Sequence, residues 1–79
     1  MKKIIFEWVA NFIKTRFGII AEEKTSISKL NSAQLEELLK AVNNEYNTRI
    51  NLSDVEGYIE KFGNVTLFDL AAIIFSKCI

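Results

Sequence analysis

The chain has no histidine, no proline, a single cysteine and only three glycines among its 79 residues. Without histidine it lacks the side chain most often poised to move a proton near neutral pH. That excludes Ser/His and Cys/His nucleophilic catalysis and argues against an autonomous hydrolase. A single cysteine, Cys78, cannot form an intrachain disulfide, and no Cys/His zinc site can be assembled around it. Only Lys77 stands beside it to activate it as a nucleophile, so Cys78 reads as a half-buried bystander.

An excess of one charge is also missing, because ten Lys and Arg balance ten Asp and Glu. A neutral chain has no overall field to gather nucleic acid or an acidic membrane surface, so any electrostatic partnership rests on local patches. No apolar run approaches the ~20 residues that span a bilayer, since Asp69 breaks the most hydrophobic stretch. The opening MKKIIFEWVANFIKTRF starts like a secretion signal, but Glu7, Asn11 and Lys14 interrupt it and no small-residue cleavage site follows. The expectation is a soluble monomer of the reducing cytoplasm.

Apolar residues make up 49% of the chain and nine are aromatic, which suits the well-filled core that one domain over residues 1–79 requires. Ile5, Trp8, Val9, Phe12, Ile13 and Phe17 follow helical spacing, and Gly18-Ile19 is a glycine stop with its apolar follower. A first helix is therefore expected from Lys3 to Phe17. Residues 20–30 are polar apart from a few positions, and Ile27 and Leu30 should anchor this loop to the core. Leu35, Leu38, Leu39, Val42 and Tyr46 form one apolar stripe of a second helix, with Asn31 as N-cap and Gln34 at N3 in a variant capping box.

After a polar connection containing Ile50, Ser53-Asp54-Val55-Glu56 reads as another capping box, opening a short helix from Asp54 to Phe62 that Gly63 ends. Thr66 through Asp69 repeats the device for a last helix with Leu67, Leu70, Ala71, Ile74 and Phe75 on its buried face. No proline interrupts these patterns and no strand is signalled. The fold class is all-α, a small four-helix bundle with a short third helix.

Several constellations have plain structural readings. Asn43, Glu45, Asn47, Asn51 and Asp54 superficially suit a calcium loop, but it lacks an acid at the first position, a glycine at the sixth, where Thr48 stands, and a glutamate at the twelfth. It reads as a satisfied polar loop. Glu36, Glu37, Glu56 and Glu60 fall on solvent faces with no cleft implied, so no carboxylate pair is assigned to catalysis. Trp8, Phe12 and Phe17, interleaved with Lys14 and Arg16, share helical spacing with the aliphatic residues and read as core rather than a base-stacking platform.

The order of parts is informative. A helix ending Phe17-Gly18-Ile19, a loop, a serine opening NSAQLEELLKAVNNEYNTRIN, a short helix and a closing NVTLFDLAAII resemble, over nearly the whole chain, the acyl carrier and peptidyl carrier protein family. In that family an Asp-Ser-Leu motif carries the serine that becomes a 4′-phosphopantetheine ester. Ser32 matches the serine, Asn31 stands at the aspartate and Ala33 at the leucine. Leu35, Leu38, Val42, Tyr46 and Ile50 fit the family's core pattern, and Thr66, Leu67 and Asp69 resemble its TV-x-D start of the last helix. The first loop is shorter than is usual there and lacks the glycine before the motif.

The resemblance implies a noncatalytic carrier holding acyl or aminoacyl groups as thioesters on a phosphopantetheine arm at Ser32. It implies a phosphopantetheinyl transferase as one partner, and loading and condensing enzymes as others. Asn31, Ala33, Gln34, Glu36, Glu37 and Lys40 would form the recognition surface. Its mixed charge fits a dedicated partner in a specialised pathway such as polyketide, peptide or cell-envelope synthesis. The alternative is an unmodified carrier-like domain that acts as a protein interaction module.

Overall fold

Local punctuation places all the expected helices, and tertiary packing adds what it could not. The computed structural model describes residues 2–78 and contains α1 (Lys2–Phe17), α2 (Ser32–Tyr46), α3 (Leu52–Phe62) and α4 (Leu67–Lys77), with a 3₁₀ turn at Ile27–Lys29. The fold is all-α, and among the described residues no strand forms beyond an isolated antiparallel bridge between Ser26 and Thr66.

α1 stops where glycine permits it. Gly18 adopts φ 70°, and its N–H donates to the Lys14 carbonyl at 3.0 Å, closing the last turn in a left-handed cap. Ile5, Val9 and Ile13 are fully buried, each contributing roughly 1.5–3 kcal/mol of transfer free energy. Trp8, Phe12 and Phe17 are only half-buried: they form an aromatic flank beside the aliphatic seam, with Trp8 stacked on Phe12 and edge-on to Tyr46 of α2. α1 packs mainly on α4, then on α2, while α3 leans on α2.

The first loop is more ordered than its polar composition suggests. Ile27 and Leu30 are buried as expected, and the backbone between Glu23 and Ile27 is stitched to the start of α4. The Leu67 N–H donates to the Thr25 carbonyl at 2.8 Å, and the Ile27 N–H to the Val65 carbonyl at 2.9 Å. Ser26 Oγ adds a bond to Asn64 Oδ1 at 2.7 Å.

α3 starts earlier than its sequence suggested. Asn51, not Ser53, is the N-cap: its side chain accepts from the Asp54 N–H, and Asp54 accepts from the Asn51 N–H. Ser53 lies within the first turn and donates to Asn51 Oδ1 at 2.6 Å. Two overlapping capping signals compete here, and starting at Leu52 adds the half-buried Leu52 to the helix's inner side with Val55. Phe75 is half-buried rather than buried, and Val65, just ahead of α4, joins the core.

Candidate functional site

Ser32 is the first residue of α2 and is exposed. Capping is performed by its neighbours. Asn31 Oδ1 accepts from the Gln34 N–H at 2.8 Å, and Gln34 Oε1 accepts from the Asn31 N–H at 3.1 Å. Helix punctuation at this end is therefore complete without the Ser32 hydroxyl, which has no share in the capping box. The box also leaves the N–H groups of Ser32 and Ala33, at N1 and N2, without an intrahelical acceptor, pointing along the positive end of the helix dipole.

Helical periodicity puts Ser32, Glu36, Leu39 and Asn43 on one flank of α2, at i, i+4, i+7 and i+11. From Glu36 to Asn43 that flank borders an open cleft of about 350 Å³, whose far side is Ile50, Asn51 and the first turn of α3. Leu39 and Ile50, both 2% exposed, with the half-buried Leu52, make an apolar floor, and Glu36, Lys40 and Ser53 stand at the rim. Smaller hollows lie along the aromatic flank of α1 and between α3 and α4.

The expected recognition residues divide between the two flanks. Asn31, Ala33, Glu36 and Lys40 are exposed, and Glu36 and Lys40 border the cleft. Gln34 is half-exposed, with its carbonyl oxygen engaged in the capping box. Glu37 points the other way, to an ion pair with Arg16 of α1. A partner that approached along the cleft would meet Glu36 and Lys40, with Glu37 held to the side.

At the end of α2 and the start of α3, Asn43, Asn51 and Asp54 use their side-chain oxygens internally. Asn43 Oδ1 accepts from the Thr48 hydroxyl at 2.8 Å and from the Ile50 N–H at 2.9 Å, while Asn51 and Asp54 cap α3. Asn47 takes the left-handed conformation at φ 57° that ends α2. Among the described residues no three His, Cys, Asp or Glu side chains converge on a common point. Cys78 is exposed, not half-buried, at the C-cap of α4.

Tyr46, at the end of α2, has its phenol pKa raised, first by burial and then by the negative charges of Glu45 and Cys78. The floor residues Leu39, Ile50 and Leu52 carry no mark in the sequence as site residues. Their one signal is Ile50, a lone apolar residue in a polar connection. No family model, curated protein or solved structure matches the chain. No helix among the described residues is long and apolar enough to cross a membrane.

Proposed function

We propose that this protein is a noncatalytic acyl or aminoacyl carrier whose Ser32 receives a 4′-phosphopantetheine arm from coenzyme A. In the attachment step the Ser32 oxygen bonds to the pantetheine-side phosphorus of coenzyme A and the diphosphate P–O bond breaks. Adenosine 3′,5′-bisphosphate leaves with the electron pair, and a base of the partner transferase takes the hydroxyl proton. The carried group then sits as a thioester on the arm's thiol, so the chemistry belongs to the arm and to partner enzymes.

The observation that carries this reading is the separation of roles at the start of α2. Asn31 and Gln34 cap the helix, so an exposed serine hydroxyl stands at N1 with no structural task assigned to it. The N–H groups of Ser32 and Ala33 offer an ester phosphate two donors at the positive helix end. The α2–α3 cleft on the same flank, with its apolar floor, suits the group at the end of such an arm. Whole-chain resemblance to carrier proteins supplies the rest, and specialised rather than bulk lipid synthesis fits the mixed charge of α2.

A second reading, an unmodified interaction module, draws on Asn31. Its side-chain oxygen is engaged by the Gln34 N–H, where the resembling family has a carboxylate that helps the transferase hold its metal ion. Intact-mass measurement after incubation with coenzyme A, Mg²⁺ and a panel of broad-specificity transferases separates the two. The carrier reading expects a gain of one phosphopantetheinyl group that Ser32→Ala abolishes. No gain with any transferase leaves the interaction module.

A further inference from the structure

One side chain holds the connection between α2 and α3. The half-buried Asn43 carboxamide reaches across it: Nδ2 donates to the Ile50 carbonyl at 2.7 Å, and Oδ1 accepts from the Ile50 N–H at 2.9 Å. Both backbone groups of Ile50 are thus bonded to a single residue, as a neighbouring strand would bond them. Thr48 completes the arrangement by donating its hydroxyl to Asn43 Oδ1 at 2.8 Å and its N–H to the Asn43 carbonyl at 3.2 Å. Only an amide can do this, since it presents a donor and an acceptor side by side.

The segment from Ile50 into α3 depends on that clamp. Ile50 forms part of the cleft floor, Asn51 caps α3, and Leu52 is the first residue of α3 and also borders the cleft. Beyond this point α3 is held by one fully buried residue, Val55, and by Tyr58 and Ile59, which rest half-buried on the core, while Phe62, at its end, is 63% exposed. The clamp holds the entry to α3, and Val55, Tyr58 and Ile59 seat the rest of the helix.

We propose that Asn43 is the positioning residue of the α2–α3 cleft: it fixes where α3 begins relative to α2, and so sets the width of the cleft and the size of the apolar group it admits. The identity of that group rests on the carrier reading, whereas the clamp does not.

Amide hydrogen exchange of the intact protein tests the clamp, comparing wild type with Asn43→Ala and with Thr48→Val. In Asn43→Ala, exchange in α3 should accelerate about tenfold more than in α4, because three hydrogen bonds are lost next to α3 and none in α4. Thr48→Val keeps both bonds to Ile50 and nearly the same volume, so a smaller acceleration in the same helix is expected. Equal acceleration of α3 and α4, or none in α3, would overturn the proposal. Should Asn43→Ala fail to fold, the α3-to-α4 ratio in Thr48→Val decides alone.

A second arm uses protein loaded at Ser32 with straight acyl chains of increasing length, tracking the Ile50 and Leu52 methyl resonances. The longest chain that shifts them should differ between wild type and Asn43→Ala, and an unchanged limit counts against the proposal. If Ser32 accepts no arm, the carrier reading fails by itself and the exchange comparison still decides the clamp.

Discussion

α3 and α4 are both 11-residue helices, and each opens with a reciprocal capping box closed by an aspartate at N3. α4 buries Leu67, Leu70, Ala71 and Ile74, while α3 fully buries Val55 alone. Equal local signals thus give helices of equal length but unequal attachment. α4 packs on α1 and receives the first loop through backbone hydrogen bonds, so it belongs to the frame. α3 leans on α2, and its first turn borders an open cleft, so it is the less deeply buried of the two helices.

The largest expected effect is in the frame. Leu70→Ala empties a fully buried site and should cost about 3 kcal/mol in urea unfolding, lowering protection throughout the molecule. Val55→Ala removes the one deep anchor of α3 and should cost about 2 kcal/mol, with exchange in α3 accelerating most. If the two substitutions acted on α3 and α4 alike, the helices would be equivalent and the distinction would break.

Removing the caps sharpens the comparison at smaller scale. Thr66→Ala and Asn51→Ala each delete a capping side chain, at about 1 kcal/mol apiece. The first should appear as global destabilisation and the second as fraying confined to α3, read by amide exchange. Glu37→Gln, which breaks the exposed pair with Arg16, should cost at most ~0.5 kcal/mol, and the difference should vanish in high salt.

The smallest effect appears only in alkali and concerns α2's contact with α1. Burial holds the Tyr46 pKa above 10.0 in the folded state, so the native chain keeps this proton more tightly than the unfolded one. The stability it contributes is complete below pH 10 and is lost as the pH rises through the folded value. Tyr46→Phe should flatten the fall in urea midpoint above pH 10, and an unchanged slope would assign that fall to other groups.

Much of this was legible in the sequence because it is local. The stripe Leu35, Leu38, Leu39, Val42, the glycine stop at Gly18, and the boxes at Asn31 and Thr66 each lie within a few residues, and all formed. The start of α3 was not legible, because Asn51 and Ser53 carry overlapping signals that only tertiary packing resolves. The stitching of Thr25 and Ile27 to Leu67 and Val65 joins segments some forty residues apart, which no local pattern encodes. Ser32 was legible as a candidate, and its freedom from capping duty followed from the local box of Asn31 and Gln34, whereas the cleft further along α2 required the packed arrangement of α2 and α3.

The most direct test is a comparison of backbone and methyl NMR shifts between the unmodified protein and protein carrying a short acyl group through an arm on Ser32. Changes are expected at Ser32 and Ala33, at Leu39, Ile50 and Leu52 in the cleft, and along α3, with α4 unmoved. Failure to attach the arm, or shifts that spread through α4 while sparing the cleft, would contradict it.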